Sequence, residues 1–137
     1  MEISELMARE HIRELVASYT HFGDRGRIAE MTALFGPDAE LDGFGQLFVG
    51  HEAIAGFFGG IADGTTPGPA RTFIRHHISN VTIEMTSATE ASGASYWLVI
   101  ADDGLESSGR YRDTYRCDPD GTWKFATRMI RRDEPRL

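Results

Sequence analysis

Arg71-Thr72-Phe73-Ile74-Arg75-His76-His77-Ile78-Ser79-Asn80 opens the segment whose reading decides the fold. Ile74, His76 and Ile78 alternate with Arg75, His77 and Ser79, which is the period of a strand with two unlike faces. The pattern predicts a strand over Arg71–Met85 and then recurs, with strands at Ala91–Ile100, Leu105–Cys117 and Thr122–Arg132. Between them stand Thr86-Ser87-Ala88-Thr89, Asp102-Asp103-Gly104 and Asp118-Pro119-Asp120-Gly121, short polar turns suited to joining antiparallel neighbours. Strands longer than the usual five or six residues must twist and bend in a small domain. Bulges are expected near Ser79-Asn80 and at Gly93 and Gly109.

Upstream of this meander the period becomes helical. Leu6, Ile12, Leu15, Val16, Tyr19 and Phe22 recur at spacings near three and four, with Glu5, Glu10, Arg13 and Glu14 between them. They predict an amphipathic helix, with Ser4 as its N-cap and Gly23-Asp24-Arg25-Gly26 as its end. A second helix of nearly three turns is predicted from Arg27 to Phe35, with Ile28, Met31, Leu34 and Phe35 inward and Gly36-Pro37 as its stop. Ala39–Asp42 and Gln46–Gly50 read as a short strand pair around Gly43-Phe44-Gly45, and Glu52–Ile61 as a third helix. Gly64-Thr65-Thr66-Pro67-Gly68-Pro69 is a punctuated linker, either a cleft-rim loop or a crossover. Helices followed by an antiparallel meander make an α+β domain rather than a βαβ nucleotide fold. No GxGxxG follows a strand, and no GxxxxGK[ST] occurs.

The 137 residues, 41% of them hydrophobic, suit one domain, 1–137, with one core. Acidic residues outnumber basic ones, 21 to 14, for a net charge of -7, which speaks against a nucleic-acid partner. The arginines of the second half are expected to pair across strands with Asp113, Glu84 and Glu106. Cys117 is the single cysteine, so no intrachain disulfide framework exists. The acidic start and the lack of an apolar run of about 18 residues argue against a signal peptide or a membrane span, and point to the cytoplasm.

Several residues are candidates for chemistry. Strand alternation turns His76 toward a pocket and His77 outward; a core histidine bonded to a backbone carbonyl would fit the same pattern. Adjacent strand histidines diverge, and His11, His21 and His51 form no HExxH arrangement, so no metal or cofactor is expected. Tyr111, Asp113 and Tyr115 share one face, and Arg128 sits among Ala126 and Ile130. Polar groups turned inward together need either a bonding network or a ligand. Phe22, Phe57, Phe58, Tyr96, Trp97 and Tyr115 would suit a hydrophobic ring compound, and would equally serve as core.

Motifs spread over residues 4–132 carry a resemblance. They are Leu15-Val16-Ala17-Ser18-Tyr19 leading to Gly23-Asp24-Arg25-Gly26, Leu34-Phe35-Gly36-Pro37-Asp38-Ala39, Gly50-His51-Glu52-Ala53-Ile54, Arg75-His76-His77-Ile78-Ser79-Asn80 and Asp120-Gly121-Thr122-Trp123-Lys124-Phe125. The chain resembles the SnoaL-like group of the NTF2-like superfamily, in the branch of scytalone dehydratase and hexachlorocyclohexane dehydrochlorinase. The resemblance implies an α+β cone, helices against a strongly curved, mixed, mostly antiparallel sheet. It implies an aspartate–histidine pair at Asp24 and His76, and a pocket arginine at Arg128. Gly23 stands where the dehydratase has a tyrosine, no histidine follows His77 to match its second pocket histidine, and Tyr111 falls near its pocket asparagine.

An Asp–His pair would remove an acidic C–H proton without a cofactor, in elimination, dehydration or isomerisation of a small hydrophobic cyclic substrate. Arg128 or Tyr111 would steady the developing negative charge. The alternative is a noncatalytic ligand-binding or assembly module resembling the small subunit of aromatic-ring dioxygenases. Epoxide hydrolysis, with Asp113, Arg128 and Asp24 around a water, is a looser match. The resemblance also implies a homodimer or higher homo-oligomer through the outer sheet face, with Trp97, Val99 and Ile83 as the expected contacts.

Overall fold

The computed structural model describes residues 1–63 and 72–133. Helix α1 spans Ile3–Asp24 and buries Ala8, Ile12, Leu15, Val16, Tyr19 and Thr20 along one face. Its N-cap is Glu2, without a side-chain cap, so Ser4 lies inside the helix rather than capping it. Leu6, expected inward, is 58% exposed, because burial on this face begins only at Ala8.

Helix α2 is only Ile28–Thr32, shorter than its apolar spacing predicts. Strand pairing stops it: the Phe125 amide donates to the Leu34 carbonyl at 2.9 Å, and Phe35 already begins strand β1, Phe35–Gly43. Gly36-Pro37 therefore lies in a strand, at the irregular stretch between Phe35 and Glu40 where a proline is tolerated. Strand β2, Gln46–Val49, returns through Phe44 and Gly45 at φ 55° and 93°, the left-handed pair of a tight hairpin turn. Helix α3 follows over Gly50–Ala62. The linker singled out at 64–69 lies outside the described residues, as does the predicted start of the next strand at Arg71.

The remaining strands are β3 (Ile74–Met85), β4 (Glu90–Ala101), β5 (Gly104–Cys117) and β6 (Trp123–Arg132). The sheet order is β2-β1-β6-β5-β4-β3, with β1 parallel to β6 and every other pair antiparallel. It is a mixed, open sheet with the helices against its inner face.

The bulge expected near Ser79-Asn80 is present, with Asn80 at φ 54°. The other register shifts of the antiparallel pairs fall at Val99/Ile100 and Thr114/Tyr115, not at Gly93 or Gly109. Those two glycines serve close approach instead. A Cβ on Gly93 would lie 2.6 Å from the Thr82 carbonyl oxygen, and one on Gly109 would run into the Arg131 carbonyl and the Trp97 ring.

The facing of β4 is the reverse of the one expected. Trp97 and Val99 are 4% exposed and Ile83 on β3 is 9% exposed, so all three are interior. Tyr96 and Leu98 face outward: β4 alternates without a break and both of its rows are apolar, so its pattern alone selects no face, while Ile83 comes inward because the extra residue between Ser79 and Thr82 shifts the parity of β3. The outer-face contacts expected of Trp97, Val99 and Ile83 are therefore not open to them.

Candidate active site

Asp24 is the last residue of α1, and His76 faces inward near the start of β3. Strand β3 is an edge of the sheet, so backbone amides on its outer side are within reach of a side chain. The His76 amide donates to Asp24 Oδ2 at 2.9 Å, and His76 Nδ1 lies 2.6 Å from Asp24 Oδ1. Both carboxylate oxygens thus grip one residue, through its backbone and its ring. With the proton on Nδ1, the neutral ring presents the Nε2 lone pair. The Asp24 side chain is 10% exposed and that of His76 27%, so the imidazole is the more accessible member. Gly23 matters here, since a Cβ would meet Met31 Cε at 3.0 Å as the chain turns into α2.

The pair borders a cavity of about 860 Å³. Its apolar wall includes Phe57, Phe58, Trp97, Val99 and Ile130; Tyr19, Thr20, Ser107 and Tyr111 add polar atoms, and Phe44, Phe73, Arg75 and Arg132 also line it. Trp97 packs beside the catalytic candidate, its ring centroid 6.4 Å from that of His76. A smaller cavity of about 250 Å³, bordered by β1, β5 and β6, touches neither Asp24 nor His76. Sequence reasoning missed Tyr19, Thr20, Ser107 and Phe44 as wall residues. For Tyr19 and Thr20 the available signal was their place one turn before Asp24 on the same helix.

Asp102, in the turn between β4 and β5, accepts from the Thr72 amide and hydroxyl and from the Phe73 amide at 2.9–3.1 Å. These bonds, the Thr72 amide first, hold its carboxyl below the ordinary range. They also place Thr72 and Phe73 at the cavity wall.

Arg128 does not line the large cavity. It is 1% exposed, and its guanidinium lies 3.6 Å from the Tyr111 ring centroid, 4.2 Å from that of Tyr19 and 4.6 Å from that of Phe125. Asp113, 4% exposed, receives Nε at 2.8 Å and Nη2 at 3.2 Å, and also the Tyr115 hydroxyl at 2.8 Å. Burial alone would disfavour the Arg128 cation, but the Asp113 carboxylate and the adjoining Tyr111 and Tyr19 outweigh it and hold the charge. Burial pushes Tyr19 up to about 12 and Tyr111 well above the usual phenol range, so both stay protonated.

Of the aromatics singled out, Phe57, Phe58 and Trp97 line the cavity; Phe22 is not among its lining residues, Tyr96 is 59% exposed, and Tyr115 is buried against Asp113. Asp113 and Asp24 do not share a water site, since Asp113 is sealed away from the cavity with both oxygens engaged. His77 is exposed, as its place on the strand predicts. Among the described residues no three His, Cys, Asp or Glu side chains converge as a metal site. Nor is any described helix long and apolar enough to cross a membrane.

A family model for the SnoaL-like domain matches residues 4–129. The chain belongs to the SnoaL-like family. No curated protein matches it in sequence. Among solved structures, the SnoaL-like chain is similar to a protein from Novosphingobium aromaticivorans DSM 12444 provisionally assigned as a scytalone dehydratase. The identity is 28% and the TM-score 0.82, over 98% of this chain and 89% of that one. A protein of unknown function with a cystatin-like fold from Nostoc punctiforme PCC 73102 is 27% identical, with a TM-score of 0.78, over 91% of this chain and 90% of that one. A type 3 hexachlorocyclohexane dehydrochlorinase from Novosphingobium barchaimii LL02 shares 20% identity at a TM-score of 0.81, over 98% and 92% of the two chains. That last likeness concerns the fold. The NTF2-like cone expected from the motifs is the observed architecture.

Proposed function

We propose that this protein is a cofactor-independent lyase or isomerase in which Asp24 and His76 act as a general-base pair on a small hydrophobic cyclic substrate. The observation that carries the reading is the 2.6 Å contact between Asp24 Oδ1 and His76 Nδ1 at the wall of a large cavity with a partly aromatic lining. His76 Nε2 takes the proton from a C–H bond whose electron pair becomes a C=C bond or an enolate. In elimination the leaving group departs with the electrons of its own bond. Asp24 keeps the ring oriented and stabilises the imidazolium that forms. Tyr111, protonated because it is buried, offers its hydroxyl to the developing negative charge. Arg128, 3.6 Å behind the Tyr111 ring, acts through that phenol as a positioning and polarising residue rather than by touching substrate.

The names of two relatives, an assigned scytalone dehydratase and a hexachlorocyclohexane dehydrochlorinase, fit elimination chemistry. An assembly module would want a broad apolar outer sheet. Here β5 presents Arg110, Arg112, Thr114 and Arg116 on that side, beside Tyr96 and Leu98 of β4.

The test is a cofactor-free screen of cyclic alcohols, halides and ketones in deuterated buffer, read by mass spectrometry for loss of water or acid, or for deuterium uptake. On the substrate so found, His76→Ala is expected to lose about 10²–10⁴-fold in kcat, and Asp24→Ala a comparable factor. Full turnover by both variants refutes the assignment.

A further inference from the structure

The rim of the cavity holds a feature that proton abstraction does not use. Phe44 sits at the tip of the β1–β2 hairpin with φ 55°, a left-handed backbone that favours Gly, Asn or Asp and not an aromatic residue. It is also 48% exposed, so core packing does not account for it. Its ring lies against Phe57, with centroids 6.4 Å apart, and carries the Arg132 guanidinium 5.3 Å from its own centroid. Both Phe44 and Arg132 line the cavity.

The neighbouring charges are already engaged. Arg131 holds Asp42 through two bonds of 2.8 Å, Ser108 donates to Asp133 at 2.9 Å, and Glu106, also on the wall, has an interaction of its own. Arg75 repeats the stacking against Phe73 at 5.1 Å, but its Nη1 donates to the Ile74 carbonyl. Among the described residues Arg132 makes no ion pair, so its donors are held over the cavity rim by a ring alone.

We infer that Arg132, seated on Phe44, binds a carboxylate carried by the substrate, which makes the substrate class an amphipathic ring acid. Its apolar body would lie against Phe57, Phe58, Trp97 and Val99, with the reacting carbon toward His76. A guanidinium fork matches a carboxylate through two parallel bonds, and stacking removes freedom the fork would otherwise lose on binding. The inference rests on reading this cavity as the substrate site, but not on the chemistry of the dyad.

The test is equilibrium binding by calorimetry, without turnover, using 1-naphthoate and 1-naphthalenemethanol as charged and neutral probes of one shape. Wild type should bind naphthoate about tenfold or more tightly than the alcohol. Arg132→Gln should bring naphthoate down to the level of the alcohol and leave the alcohol unchanged, and Phe44→Asn, which keeps the hairpin turn, should weaken naphthoate more than the alcohol. The preference should persist in His76→Ala. If it does while His76→Ala keeps full turnover, the dyad fails and the carboxylate site stands. Equal affinities in wild type, a preference that survives Arg132→Gln, or binding of neither probe overturns the inference.

Discussion

The buried pair Asp113–Arg128 permits a quantitative check on whether Arg128 works from behind the wall. Both side chains are 0% exposed, and the geometry is bidentate, Nε and Nη2 to the two carboxylate oxygens at 2.8 and 3.2 Å. Asp113→Asn keeps the volume and, with its amide oxygen in the Oδ2 position, an acceptor for Tyr115 and Nη2, but it sets an amide NH2 against the Arg128 Nε–H, so it removes the charge and one hydrogen bond. It leaves a guanidinium buried among three rings with no counterion. Arg128→Met leaves the opposite charge stranded, and each single change should lower stability by about 3–5 kcal/mol. The double variant strands no charge. It loses the cation–ring contacts, about 2 kcal/mol for a desolvated site, and should be more stable than either single variant. The cycle therefore yields a coupling of about 3 kcal/mol or more, a large share of the roughly 5–15 kcal/mol that holds a domain together. Urea unfolding followed by the fluorescence of Trp97 and Trp123, both buried, measures each corner. Single losses under about 1 kcal/mol, or losses that add within about 0.5 kcal/mol, would refute the reasoning.

Alkaline pH should weaken the fold through its buried phenols. Burial raises Tyr19 from 10.0 to about 12 and pushes Tyr111 and Tyr115 further the same way, so the folded state keeps protons that the unfolded chain releases. The contribution is complete below about pH 10 and is lost as pH climbs through the folded values; a urea midpoint that stays level from pH 9.5 to 12 would contradict this. Gly109→Ala should destabilise by about 1–3 kcal/mol, since the new Cβ meets Trp97 Cζ2 at 2.5 Å and also the Arg131 carbonyl. Thermal melting of the variant provides the measurement, and an unchanged midpoint would mean that β5 and β6 separate there without strain.

His76 was legible because a strand's alternation is local: Ile74, His76 and Ile78 share a face whatever covers it. Its partner was not legible from composition or spacing. Asp24 lies 52 positions away, and only the resemblance linked the two before the geometry brought them to 2.6 Å. Arg128 shows the limit of a periodic reading, since parity turns it inward without saying whether Tyr111 and Tyr19 stand between it and the cavity. The end of α2 was misjudged for a related reason. Ile28, Met31, Leu34 and Phe35 keep helical spacing, but the pairing of Phe35 with Phe125, far along the chain, decides the conformation.

The chain by itself determined an α+β order, four long antiparallel strands joined by polar turns, an inward His76 and the cone family, because these follow from local period, turn chemistry and motif. Tertiary structure decided which row of β4 faces the core. With Trp97 and Val99 on one side and Tyr96 and Leu98 on the other, both rows are apolar and only the neighbouring strands and helices choose between them; the bulge at Ser79/Thr82 in turn shifts the parity of β3 and brings Ile83 inward. It also decided that Asp113 neutralises Arg128 behind the cavity wall while Arg132 lies on Phe44 at the rim. Burial and ion pairing depend on which distant strands become neighbours, and no local pattern along the chain encodes that.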